Sequence, residues 1–220
     1  MPHYKIGPSE QDRLKWIQGV NIRTVLDVGA SEDYFALECH RIFPDAKIYC
    51  FEPLRDSFEK LNSILKKIPR AESFNFALGD KKERIAMYRN EYPDSSSIRK
   101  MKQLHKEAFS YTSKETAEDI EVDTLDTVAQ GLTMEDAILL EIDTQGYEDK
   151  VIRGAVNTLR RIKIIIVETS FFELYEGQPL FSDMYESLVK YGFTYSGSWH
   201  QMESPLDGAL LQQDSIFIRK

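Results

Sequence analysis

Short apolar runs alternate along the chain with stretches whose apolar positions recur every three or four residues, so strands and helices take turns. Residues 24–28 (Thr-Val-Leu-Asp-Val), stopped by Gly29, read as a first buried strand. A helix follows over 35–43 and ends at Pro44, and Lys47-Ile48-Tyr49-Cys50-Phe51 is a second strand closed by Glu52-Pro53. Phe58, Leu61, Leu65 and Ile68 mark an amphipathic helix, and 73–78 a third strand. Later strands are expected at 137–143, 163–168, 193–196 and 214–218. Helices start near Tyr147 and run through Met184, Leu188 and Tyr191. Ser9 is placed to cap a helix in an N-terminal extension over 1–21.

Two segments break the rhythm. From Gly79 to about Ile120 the pattern is polar and weak, which predicts an excursion or lid on a single domain spanning 1–220. Residues 197–212 read as a loop, so the last strand should run antiparallel to the others. Strand–helix alternation elsewhere implies crossovers, and hence an α/β fold. Its expected core is a seven-stranded, mostly parallel sheet with an antiparallel last strand and helices on both faces.

In such a sheet, ligands bind beyond the carboxyl ends of the strands. Gly29 there lets the chain turn sharply close to a ligand. Glu52, 23 residues further on, is spaced to accept hydrogen bonds from the hydroxyls of a ribose. Glu32 and Asp33 stand where a dinucleotide site would need glycines, so they disfavour pyrophosphate and a nicotinamide cofactor. A cationic sulfonium suits that acidic surround. At the end of the fourth strand, Asp143 either meets the ligands or caps the next helix. Glu168 ends the fifth strand, and His200, beside Trp199, has a side chain suited to general-base work near neutral pH.

The net charge of −8 argues against general nucleic-acid binding, which rests on cationic side chains. The longest apolar run, Ile164-Ile165-Ile166-Val167, is far short of the roughly 18 residues of a membrane helix. Met1 to Ile6 holds no signal-peptide core, and the two cysteines, Cys39 and Cys50, match no disulfide framework or zinc spacing. A cytoplasmic protein with no membrane partner and no metal site is expected, and a homo-oligomer is compatible with the sequence.

Several segments in order resemble the FkbM-type family of S-adenosylmethionine-dependent methyltransferases. They are Val25-Leu26-Asp27-Val28-Gly29-Ala30, Phe51-Glu52-Pro53, Asn75-Phe76-Ala77-Leu78-Gly79-Asp80 and Val122-Asp123-Thr124-Leu125-Asp126. The most specific is Glu141-Ile142-Asp143-Thr144-Gln145-Gly146-Tyr147-Glu148 with Val151, Gly154 and Ala155, followed by Leu174-Tyr175-Glu176-Gly177-Gln178 and Gln213-Asp214-Ser215-Ile216-Phe217. The resemblance implies a Rossmann-like class I methyltransferase fold and S-adenosyl-L-methionine as cofactor. It also implies O-methylation of a hydroxyl on a small-molecule or glycan acceptor.

Carried over, it places Asp27 and Gly29, with Ala30 and Ser31, at the methionine end of the cofactor. Glu52 and Pro53 fall at the ribose, Ala77 and Leu78 near the adenine, and Asp143, Gly146 and Glu148 at the reacting end. For catalysis the reading ranks Asp143 first, with Glu168 and His200 behind it. The chain departs from the family at Ser31 and Asp33, usually Asn and Gly, and at Glu141, usually Lys. Those departures motivate a rival reading, a non-catalytic nucleoside-binding or regulatory module on the same fold.

Overall fold

The computed structural model describes residue 17, residues 19–32 and residues 34–219. The helix expected after Ser9, and Asp33, lie outside the described residues. Seven strands form the main sheet: β1 (Thr24–Val28), β2 (Lys47–Phe51), β3 (Ala71–Phe74), β7 (Ile138–Ile142), β8 (Ile162–Ser170), β9 (Phe193–Glu203) and β10 (Leu210–Arg219). Their spatial order is β3-β2-β1-β7-β8-β10-β9. The first five pair in parallel, and β10 pairs antiparallel with both β8 and β9.

Strand residues alternate between two apolar layers, as a sheet covered on both faces requires. Leu26, Val28, Leu140, Ile142, Ile165 and Val167 pack on one side with helices α5 (Glu148–Arg153) and α6 (Phe181–Lys190). Val25, Leu139, Ile164 and Ile166 pack on the other, with α1 (Phe35–Ile42) and α2 (Arg55–Leu65). No helix among the described residues is long and apolar enough to cross a membrane.

The expected strand over 73–78 is two. After β3 the chain bends at Asn75, whose side-chain amide donates to the carbonyls of Glu52 and Pro53 at 3.0 and 2.8 Å. Residues Ala77–Leu78 (β4) then leave the main sheet and pair with β6 (Glu115–Asp123), which pairs in turn with β5 (Glu83–Asn90). The weak pattern over 79–120 therefore conceals a three-stranded second sheet with a small apolar cluster of Leu54, Ala77, Met87, Ile120 and Val122. Its strands are half exposed and carry few apolar residues, and cross-strand pairing supplies what periodicity did not announce. Between β5 and β6 stand a 3-10 turn (Pro93–Ser95) and helix α3 (Gln103–Ala108), and the short helix α4 (Leu125–Val128) follows β6.

The expected loop over 197–212 is likewise mostly strand. β9 continues to Glu203 and β10 begins at Leu210, joined by a turn over 204–209. Register shifts along the β9–β10 pair interrupt the strict alternation that the eye seeks in a sequence.

Candidate active site

From β1 the chain winds outward through β2 to β3, then returns to lay β7 against the other side of β1. That reversal opens a crevice at the carboxyl ends of β1 and β7. A cavity of about 390 Å³ lies there, within the range of about 300–1,000 Å³ typical of small-molecule sites.

Gly29 makes the floor possible. Its φ is +95°, and a Cβ there would overlap the backbone carbonyl oxygen of Asp143. The neighbouring Ser31 also adopts positive φ, 46°, which turns its backbone N–H onto Glu52 Oε2 at 3.0 Å. Leu54 N–H donates to the other oxygen, Oε1, at 2.6 Å. Glu52 is only 5% exposed. Each of its oxygens keeps a further lone pair for a ligand hydroxyl. Burial raises its pKa to about 7 against the help of those two N–H donors, and Asp56 and Asp94 push it further.

The opposite wall is the segment 143–148. Gln145, at φ 52°, donates from Nε2 to Asp143 Oδ1 at 2.7 Å and to Glu168 Oε2 at 3.1 Å. Glu148 Oε1 accepts from Thr144 N–H, Thr144 Oγ1 and Gly146 N–H at 2.9–3.1 Å. Glu148 thus builds the loop, and Asp143 does not cap α5, whose N-terminus carries no side-chain cap hydrogen bond. Burial lifts the Asp143 carboxyl to about 6, with Gln145 opposing and the Asp94 charge adding to the rise.

Of the residues expected at the cofactor, Asp27, Gly29, Ala30, Ser31, Glu52, Pro53, Ala77, Leu78 and Asp143 all line this one cavity. Of the expected catalytic residues, only Asp143 does. Glu168 stands behind Gln145, outside the lining. His200 lines a second cavity of about 610 Å³ with Trp199, Phe35 and Asp214, and that cavity shares Tyr34, Phe35 and Glu141 with the first.

Sequence reasoning missed Asp94. It sits in the 3-10 turn, accepts from Ser31 Oγ at 2.6 Å, and brings a carboxylate across the mouth of the cleft. No periodicity marks it, because the packing of the second sheet alone delivers it. Also missed were the apolar lining residues Met87, Ile98 and Tyr147. The described lining holds six carboxylates, Asp27, Glu32, Glu52, Asp94, Glu141 and Asp143, and no Lys or Arg. Glu32 is paired with Lys60 at 2.6 Å.

That crowd of acids has a measurable consequence. Glu148 and Asp214 also have pKa values raised to about 7 by burial and by the charge on Asp143. In the unfolded chain these groups titrate near 4. The folded protein therefore holds protons that the unfolded chain has lost, and stability falls as pH rises from about 4 to about 7. Thermal melts of the ligand-free protein should show a midpoint at least about 5 °C higher at pH 5.5 than at pH 8. A midpoint that climbs with pH over that interval would contradict this account.

Strand order, the antiparallel strand β10 and the crevice together define a Rossmann-like class I methyltransferase fold. Magnesium protoporphyrin IX methyltransferase (ChlM) from Synechocystis PCC 6803, solved with bound SAM, superposes with a TM-score of 0.53 at 8% identity, over 96% of this chain and 78% of that one. TehB from Haemophilus influenzae gives 0.51 at 9% identity, over 98% of this chain and 63% of that one. Residues 27–195 match the methyltransferase FkbM domain, and the chain belongs to that family. A curated relative, the 2-O-methyltransferase NoeI of Sinorhizobium fredii (strain NBRC 101917 / NGR234), is 29% identical over 161 residues, 70% of this chain. The match spans 66% of that relative's length.

Proposed function

We propose that the protein is an S-adenosylmethionine-dependent O-methyltransferase acting on a hydroxyl of a small-molecule or glycan acceptor. The observation that carries this reading is the acidic cleft, with six carboxylates and no cationic side chain in its described lining. Such a lining repels a phosphorylated cofactor and attracts a sulfonium that also bears an ammonium. The residues present fit that donor: Gly29 keeps the floor free of a side chain, and Glu52 offers two acceptor oxygens at ribose spacing. The family membership and the 2-O-methyltransferase relative support transfer to oxygen.

When bound, S-adenosylmethionine supplies an electrophilic methyl group. The protein's part is to hold and to deprotonate. Glu52 and Pro53 bind the ribose, with Ala77 and Leu78 against the base. Asp27, Gly29, Ala30 and Ser31 enclose the methionine end. Asp143, in the lining of the cleft just past the end of β7, takes the proton of the acceptor hydroxyl, because a hydroxyl is too weak a nucleophile with its proton in place. Glu168, behind Gln145, and His200, in the second cavity, stand outside the lining of this cleft.

Calorimetry tests the cofactor assignment. S-adenosylmethionine and its demethylated product should each bind at one site, and Glu52→Ala should weaken both by about 30-fold, the loss of hydrogen bonds to a charged acceptor. Since Glu52 must ionise to accept from the ribose, affinity should also fall up to about tenfold per pH unit below pH 7. Absence of heat from a folded sample would sink the assignment. Incubation with a methyl-¹³C cofactor and a panel of glycosides then reports transfer through the O-methyl resonance. Tight cofactor binding with no transfer to any hydroxylated acceptor would favour the non-catalytic module.

A further inference from the structure

A line of buried hydrogen bonds runs from the segment between β5 and β6 into the candidate base. Thr112 Oγ1 lies 3.2 Å from His105 Nδ1, and His105 Nε2 lies 3.4 Å from the Tyr175 hydroxyl. That hydroxyl donates to Gln145 Oε1 at 2.8 Å. Gln145 Nε2 then meets both Asp143 and Glu168. Thr112, His105 and Tyr175 are all at most 3% exposed, so water does not compete for these bonds. The Gln145 backbone is pinned as well, since its carbonyl accepts from Ser97 Oγ at 2.6 Å.

The polarity of this line follows from its ends. Asp143 accepts, so Gln145 must present its NH₂ to the carboxyls and its carbonyl oxygen to Tyr175. The tyrosine hydroxyl therefore donates to Gln145 at 2.8 Å, the nearer of its two acceptors, the Ser95 carbonyl standing at 3.2 Å. Burial holds His105 neutral, with a pKa near 4, and the Thr112 hydroxyl beside its Nδ1 also has the Phe109 carbonyl as an acceptor at 2.8 Å. Tyr175 and Gln145 thus both donate toward the carboxyl pair. Bonds aligned head to tail polarise one another and favour negative charge at the receiving end.

We propose that Gln145, oriented by Tyr175, is a positioning residue that keeps Asp143 ionised and aimed into the cleft while Glu168, sharing the same amide, carries the proton. The proposal rests on the methyltransferase reading for its use of Asp143 as base, although the hydrogen-bond chain itself does not. Its rationale is electrostatic. The titratable groups around Asp143 are Asp27, Glu52, Asp94, Glu141, Glu148, Glu168, Asp214, Tyr147, Tyr175 and His105, and no Lys or Arg lines the cleft among the described residues. Surrounded by carboxyls with no cation in the cleft lining, an ionised Asp143 needs a dedicated donor. Burial, together with the charges of Asp143, Glu148 and Asp214, drives Glu168 well above the usual carboxylate range. Of the pair, Glu168 is thus the one to stay protonated.

The test follows the Asp143 carboxyl carbon by NMR in protein labelled with ¹³C-aspartate, its signal assigned by its absence from Asp143→Asn. Gln145→Met keeps the shape and removes the donor, and Tyr175→Phe keeps the ring and releases the amide. Both should raise the Asp143 pKa by about one unit or more in the ligand-free protein, and move the acid limb of the kcat/KM profile up equally. With a shift of one unit, kcat/KM should fall about twofold at pH 7 and about tenfold by pH 5, with the cofactor Kd unchanged. Should Gln145→Met fail to fold, Tyr175→Phe carries the measurement alone. An Asp143 titration unmoved in the folded variants, whatever their melting temperature, would reduce Gln145 to a structural brace. Failure of the methyltransferase reading looks different: no cofactor binding, with the Asp143 shift intact.

Discussion

Asp143→Asn is expected to cut turnover by about 10²–10⁴-fold while changing cofactor affinity less than about threefold. The substitution is isosteric, and the loop around it stands on Glu148 and its three donors, so the cleft should keep its shape. What disappears is the one carboxylate that lines the cavity, sits at the β7 edge and is held by a side-chain amide. Its raised pKa, about 6, is the value a base at neutral pH requires: mostly ionised, yet basic enough to accept a proton. Single-turnover rates with saturating cofactor, beside calorimetry on the same variant, check the result. Turnover within about threefold of the parent would remove Asp143 from the chemistry and return attention to the second cavity.

Gly29→Ala should be nearly as damaging, through the fold and not the chemistry. Positive φ alone disfavours any side chain there, and the added carbon would strike a backbone carbonyl of the adjoining strand end, which cannot rotate away. β1 and β7 are the central pair, so the strain opens the sheet where it is most buried. A loss of at least about 3 kcal/mol is expected, and with it cofactor binding. Gly131→Ala is the control: its φ is not positive, and the new carbon meets only one backbone oxygen at 3.6 Å. Denaturant melts of the pair should place Gly131→Ala close to the parent and Gly29→Ala far below it. Equal midpoints would mean that the crossing of β1 by the Asp143 carbonyl is looser than drawn.

Much of the scaffold was legible in the sequence. The central parallel strands β1, β7 and β8 are rich in Val, Leu and Ile, as strands covered on both faces tend to be. Their ends carried Gly29, Glu52 and Asp143, each a residue type whose position at a strand terminus has a chemical meaning, and all three line one cleft. The second sheet was not legible. Residues 83–90 and 115–123 are charged and half exposed, and their partner β4 is two residues long, so no window of sequence records the pairing. The strand identity of 197–203 was hidden for a similar reason, behind register shifts that break alternation.

Local order is written locally where burial is deep: in the central strands and the helices that cover them, burial on one or two faces leaves a period in the chain itself. Convergence is not. Asp94 reaches the cleft from an excursion 63 residues beyond Ser31, and Tyr175 reaches Gln145 across 30. Side chains from separate elements meet only when the sheet is assembled. The sequence therefore determined the Rossmann-like frame and the residues at its carboxyl edge, while tertiary structure alone decided which carboxylates share a field and which amide restrains them. Charge and hydrogen bonding act through space over a few ångströms, and the chain's own order does not measure that distance.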